Sequence, residues 1–427
     1  MPAAIIARTD AAFTIQVEIP YGSSMLDFEE VIQQRLNEAG VLATQEALQR
    51  FDADGSPIQV GDTKLTTKGK LKKEYQTPYG VAPVERYVYQ SSRGGKTYCP
   101  LDRNARIVVS STPKFAKMVS HKYAEFGSAR VIKDLAENHG RVVARCFVQD
   151  VTDAVAAVAL AKEEDWDYVL PEPEEPTSTI TIGIDGTCLL MCEGGWRETM
   201  VGTIGFYDAG GERQQTIYLG ATPEYGKATF LGRMEREIAR VKVSHPKARY
   251  VGLADGAKGN WEFLSRHTEV QVIDFWHAAE YLSDAGDALF CGSTGAKKPW
   301  LEASCHRLKH EPGAARQLIR DLKRGAAEKG VSPDQEDVAA AITYFSNQSR
   351  QGRMDYAGLV ESHVPIGSGV TEAACKVLVK QRLCGSGMKW KEPGAAAVLS
   401  LRCLSYTTDR WSQFWRKIDQ FGYPVAA

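Results

Sequence analysis

The chain has 427 residues, enough for two or three domains and a sizeable core, with 43% hydrophobic and 25% charged residues, the balance of an ordinary soluble globular protein. No apolar run approaches the ~20 residues that span a bilayer, which excludes a membrane-crossing helix. A net charge of −1 argues neither for nor against nucleic acid, because what counts is where the charge sits along the chain. The start, MPAAIIARTDAAF, lacks the basic and apolar segments of a secretory signal, so a cytosolic setting is expected. Nine cysteines without a CxxC pair signal neither a disulfide framework nor a zinc ribbon, and most are expected reduced and buried.

In chain order, Met25 to Ala39 carries apolar residues at helical spacing, with Ser24 as N-cap and Gly40 as stop. Lys64, Lys68, Lys70, Lys72 and Lys73 follow as a basic patch, read either as a DNA contact or as a solvated surface. The stretch VERYVYQSSRGGKTYCPL reads as a hairpin turning at its Gly-Gly pair. Thr112 and Pro113 open a helix that Gly127-Ser128 breaks. A second helix ends at His139-Gly140, and a third starts near Val143. Two short helices around a glycine break suit a helix-turn-helix, whose second helix can read a major groove; three-helix packing without DNA is the alternative. PEPEEPTST, residues 171–179, reads as a linker.

Beyond it the rhythm changes. TITIGI is a β-branched strand expected to end at Asp185, and Met200–Tyr207 and Gln215–Leu219 read as two further strands. A helix from Ala228 to Val243 leads to the strand Tyr250–Ala254, which ends at Asp255. A short helix, the strand Val270–Ile273 and Asp274 follow. Three strands in succession suggest a meander, and the later alternation demands parallel additions. That order is ribonuclease-H-like. It sets the acids ending the first and fourth strands side by side, where their repulsion calls for a cation, and all-oxygen ligands select Mg²⁺ or Mn²⁺. The third acid is expected on a later helix. In PIGSGVTEAACKVLVKQRL, Ser368 is the expected cap, and Glu372, Lys376 and Lys380 recur on one helical face. Each acid alone would read as a turn residue or a helix-dipole partner; together they read as catalytic and metal-binding. Residues 285–360 are mostly helical in pattern, so a helical insertion precedes Glu372.

Six motifs then come together: GIDGT, LADGA, DFWHAAEYL, PIGSGVTEAACK, CGSGMKW and LSLRCL. They resemble the ISKra-type bacterial insertion-sequence transposases, a D-D-E group with a helical insertion, related to Mutator-like elements. The resemblance spans roughly residues 80–415. It implies that DFWH is the C/D-x-x-H signature after the fifth strand, which makes Asp274 and His277 motif residues. His277 would orient a carboxylate or a phosphate, or be structural. Relatives often carry an N-terminal zinc element, but only Cys99 stands in that region here, so none is expected. Cys305 with His306 and His310 offers an HxxxH pair without partner ligands, read as structural.

Arg382, Lys389, Trp390 and Lys391 form a basic, aromatic stretch that could bind DNA, with core packing as the other reading for Trp390. Trp411, Phe414 and Trp415 read as core.

The expected architecture is therefore an α/β chain. Residues 1–111 form an α+β region and 112–170 a helix-turn-helix-like helical domain. The ribonuclease-H-like mixed sheet occupies 180–289, the all-α insertion 290–365, and the rest of the catalytic core 366–427. The expected activity is metal-dependent hydrolysis at element ends, followed by 3′-hydroxyl strand transfer into target DNA, on an oligomer of at least two chains. No side-chain nucleophile and no small-molecule substrate are expected. The rival readings are a nuclease without strand transfer and a domesticated DNA-binding protein. A metabolic α/β enzyme would need a glycine-rich phosphate loop, for which GIDGT has too few glycines.

Overall fold

The structure is a computed structural model and describes residues 3–163, 165–224, 226–255, 258–332 and 334–422. It is mixed α/β and forms two units, Met1–Tyr168 with Arg410–Ala427, and Val169–Asp409.

In the first unit, β1 (Ala3–Arg8) and β2 (Phe13–Val17) pair antiparallel. Helix α1 (Met25–Gln49) begins where the Ser24 hydroxyl accepts the Asp27 amide at 3.2 Å, but it does not stop at Gly40. That glycine makes room for the Tyr79 ring, whose Cγ would lie 2.4 Å from an added Cβ, so it serves packing inside the helix rather than ending it. Strands β3 (Ile58–Val60), β4 (Thr63–Gln76), β5 (Val81–Ser91) and β6 (Gly94–Tyr98) form a four-stranded antiparallel sheet in chain order. The lysine patch lies on β4, where a bulge between Thr67 and Lys70 precedes strict alternation. Lys64, Lys68, Lys70 and Lys72 are exposed, while Lys73 turns to the opposite face beside Asp102.

Helices α2 (Pro100–Asn104), α3 (Pro113–Glu125), α4 (Ser128–His139) and α5 (Arg145–Lys162) follow. Phe115, Val119 and Tyr123 recur on one face of α3 and are buried, and Gly140 closes α4 in the left-handed conformation, φ 59°. The helix Arg410–Phe421 groups with this unit, whereas residues 366–409 of the expected last segment group with the second. Phe414 is buried and finds an apolar partner in Trp166, with ring centroids 5.8 Å apart.

Within the expected linker, 171–179, the Pro171 carbonyl accepts the Gln215 side-chain amide at 3.2 Å and the Ser178 amide reaches the Tyr207 carbonyl at 2.8 Å. The elements of the second unit are β7 (Thr179–Leu190), β8 (Trp196–Tyr207), β9 (Arg213–Ala221), α6 (Ala228–Ser244), β10 (Arg249–Ala254), α7 (Lys258–His267), β11 (Val270–Ile273) and α8 (Phe275–Leu289). The sheet order is β11-β10-β7-β8-β9. The first three strands form an antiparallel meander, β10 lies parallel to β7, and β11 parallel to β10. Glycines let helices approach both faces. A Cβ on Gly202 would meet Met234 of α6 at 2.3 Å, whereas Gly183, on the other face, admits the helix that follows the insertion.

Helices α9 (Thr294–His310), α10 (Ala314–Glu328), α11 (Glu336–Arg350) and α12 (Tyr356–Glu361) make up the insertion. Their buried Leu308, Leu318, Leu322, Val338 and Phe345 join one continuous core with the sheet through Ala278, Leu282 and Leu289 of α8. The insertion therefore has no separate core. Helix α13 (Gly369–Ala374), a π-helical turn (Cys375–Lys380), α14 (Gln381–Leu383) and α15 (Glu392–Tyr406) complete the unit. Among the described residues, no helix is long and apolar enough to cross a membrane. All nine cysteines are free, but only Cys375 and Cys403 are buried and four are exposed, against the expectation that most would be core residues.

Candidate active site

Asp185 does not end its strand. β7 runs on to Leu190 against β8, but its pairing with β10 stops at Gly183↔Leu253, so Asp185 stands just past the end of the parallel ladder. Asp255 follows the end of β10, and its charge acts on the Asp185 carboxyl. Ala254 pairs with Ile273 of β11, which sets Asp274 after the next parallel strand. Three acids thus stand just past the carboxyl end of the parallel ladder of β7, β10 and β11, the position where open α/β sheets bind ligands. Gly256, the second half of the Asp-Gly pair, lies outside the described residues.

Glu372 is brought in from α13, on the face of the sheet that Asp185 shares with Gly183. A Cβ at Gly183 would lie 2.0 Å from Thr371 Oγ1, so only glycine lets α13 rest on β7 here. The Thr203 and Thr371 hydroxyls, both buried, bond at 2.7 Å across this contact. Ser368 sits at the expected cap position, but its hydroxyl donates to Glu372 Oε1 at 2.6 Å rather than accepting a backbone amide. The π-helical turn changes the phase assumed for Lys376 and Lys380, yet both still line one cleft with Asp185, Gly186, Thr187 and Glu372, a cavity of about 680 Å³.

The electrostatics follow from this crowding. Burial pushes the Asp185 carboxyl up. Hydrogen bonds from the Gly186 amide at 2.7 Å and the Cys375 thiol at 3.3 Å pull it down, and the charges of Asp255 and Glu372 raise it again. The Cys375 thiol is itself held protonated, by burial first and by Asp185 second. Among the described residues, no three His, Cys, Asp or Glu side chains form a closed ligand set for one metal ion. The Ser368 hydroxyl fixes one oxygen of Glu372. The donor chemistry nonetheless fits Mg²⁺, which is held by one or two carboxylates with substrate phosphates rather than by an all-protein cage.

Asp274 is 1% exposed; it caps α8 by accepting the His277 amide at 2.7 Å and also accepts the Ser368 amide. The carboxylate beside the His277 ring is that of Glu280, at 3.2 Å, and the ring lies edge-on to Tyr281 and Tyr344. Of the DNA-binding candidates, Lys376, Lys380 and Lys389 are exposed. Arg382 is not a surface residue: it is 4% exposed, with its guanidinium 5.3 Å from the centre of the Trp390 ring. Trp390 is half-buried, with its indole donating to the Leu383 carbonyl of α14 at 2.8 Å and its amide to the Leu190 carbonyl of β7 at 3.1 Å. His306 and His310 lie in ring contact, 4.8 Å apart, on α9.

Cys375, Thr371 and Gly183 are not among the residues expected at the site, and Ser368 was expected there only as a helix cap. Cys375 follows Glu372 at i+3, a helical spacing that was open to reading. Gly183 and Thr371 are far apart in the chain and meet only through folding. No model of a protein family matches the chain, and no curated protein is significantly similar to it in sequence.

Proposed function

We propose that this chain is a DNA transposase of the D-D-E group, of the ISKra type, with a ribonuclease-H-like catalytic unit. One observation carries the reading: the meander β7-β8-β9 extended by parallel β10 and β11 sets Asp185 against Asp255, while the helix after the insertion brings Glu372 to the same cleft. The six motifs of the sequence add to it. The exposed lysines 376 and 380 supply the charge that a DNA backbone requires.

Asp185, Asp255 and Glu372 would hold two Mg²⁺ ions, with Mn²⁺ able to replace them. When bound, such ions neutralise the scissile phosphate and lower the pKa of the attacking water. The chain's own residues orient these acids. Gly186 and Cys375 fix Asp185, Ser368 fixes Glu372, and Lys376 and Lys380 hold phosphates of the bound strand. Water attacks phosphorus at the element end, the bond to the 3′ oxygen breaks, and a 3′-hydroxyl is left. That hydroxyl then attacks a target phosphate in line, forming one phosphodiester as another breaks. Two chains acting together on two ends are part of the reading.

The deciding assay incubates the purified protein with a DNA duplex carrying a free 3′-hydroxyl, a supercoiled target and Mg²⁺ or Mn²⁺. Covalent joining of donor to target is the expected product. Cleavage without joining would make the chain a nuclease. Binding with neither would leave a DNA-binding protein that has lost its chemistry.

A further inference from the structure

The chain returning from the helical insertion is stitched along the end of β11. The Ile273 amide donates to the Arg353 carbonyl at 3.0 Å, the Tyr356 hydroxyl to the Ile273 carbonyl at 3.0 Å, and the Phe275 amide to the Ile366 carbonyl at 3.0 Å. The last stitch is a side chain. Asp274 Oδ2 accepts the Ser368 amide while Oδ1 accepts the His277 amide. A carboxylate this deeply buried is costly unless its lone pairs are met, and these two amides, with the α8 N-terminus, meet them. Ser368 in turn donates its hydroxyl to Glu372. A continuous path therefore runs from the fifth strand, through Asp274 and Ser368, to the third acid of the cleft.

We propose that Asp274 is the positioning residue for Glu372: it clamps the Ser368 amide, so that the Ser368 hydroxyl holds the Glu372 carboxylate toward Asp185. This rests on the catalytic role given above to Glu372. An acid is required for this clamp, because only two equivalent acceptor oxygens serve two amides that lie on different segments. Serine could cap α8 as well as aspartate does, but it is too short to reach Ser368 and has one oxygen. Asparagine keeps the shape, but it offers one acceptor and turns its amide nitrogen toward a donor. Thr371, held by Thr203, is the other anchor of α13, so the loss of Asp274 loosens the helix without releasing it.

The test uses the full chain carrying Asp274→Ser, with Asp274→Asn as a second variant that preserves volume. Hydrogen–deuterium exchange of the peptide containing Ser368 should accelerate about ten-fold or more in both, while thermal unfolding stays within a few degrees. Cleavage in Mg²⁺ should fall about 100-fold, the scale of an ångström-sized misplacement, with DNA affinity unchanged. The double variant Asp274→Ser/Glu372→Gln should be no slower than Glu372→Gln alone, because a residue acting through another adds nothing once that one is gone. Unchanged exchange at Ser368, unchanged cleavage, or additive losses would each overturn the proposal. If the unaltered protein cleaves no DNA, the functional reading falls by itself, and the exchange measurement still judges the clamp.

Discussion

One acid in each unit, Asp102 in the first and Asp185 in the second, meets opposite surroundings. In the first, Asp102 is enclosed by its complements: it accepts the Tyr75 hydroxyl and lies 3.6 Å from Arg86 and 3.9 Å from Lys73. Burial, then Asp102, holds the Tyr75 hydroxyl protonated. In the second, burial first opposes the ionisation of Asp185, and the charges of Asp255 and Glu372 add to that opposition. A fold that neutralises its buried charges uses them for its own stability. One that gathers like charges at the end of a parallel ladder holds a standing repulsion that an added cation would relieve.

The largest test of this contrast is to remove the acids one at a time. Asp185→Asn, Asp255→Asn and Glu372→Gln should each lower Mg²⁺-dependent cleavage by about 10³-fold or more, with DNA binding retained in a gel-shift assay. Full activity in any of them would take that residue out of the site. Next comes the glycine that seats α13. Gly183→Ala should destabilise the protein by about 1–3 kcal/mol in urea unfolding and depress cleavage, because the new methyl and Thr371 Oγ1 would claim the same space.

Smaller effects separate the units more finely. Lys376→Ala and Lys380→Ala should each reduce the salt-dependence slope of DNA affinity by about 0.9, and an unchanged slope would exclude that lysine from phosphate contact. Asp185→Asn should raise the melting temperature of the metal-free protein at pH 7 by about 1–3 °C, a small gain because the half-buried carboxyl is partly screened. The sign follows from linkage. The folded state favours protonated Asp185, so its contribution is intact below the ordinary carboxylate pKa and is lost as pH rises through the raised one. The advantage of asparagine should therefore vanish by about pH 4, and Mg²⁺ should stabilise the unaltered protein above that range. Least of all, Tyr75→Phe should cost about 1 kcal/mol of stability and leave cleavage per bound DNA unchanged, since Asp102 keeps its cations.

Elements written in local pattern were legible in advance. The β-branched run before Asp185, the helix from Ala228 and the strand Val270–Ile273 lie within a few residues of where alternation and helical spacing set them. Gly40 misled because a glycine that ends a helix and one that admits a ring are identical in the chain. The helix Arg410–Phe421 carried a clear apolar face, but nothing local says which core that face joins. Arg382 read as a surface cation because burial against Trp390 depends on the β7–β8 hairpin folding back.

Hydrophobic period, β-branching and turn residues are properties of adjacent residues, so the order of strands and helices in the second unit was determined by the sequence alone, while the end of β7, beyond Asp185 at Leu190, was not. The approach of the Asp255 charge to Asp185, the seat of Thr371 at Gly183 and the hydrogen bond of Asp274 to Ser368 were decided only in three dimensions. Each joins residues separated by long stretches of chain, and such a contact exists only once the sheet register and the path of the insertion have closed around it.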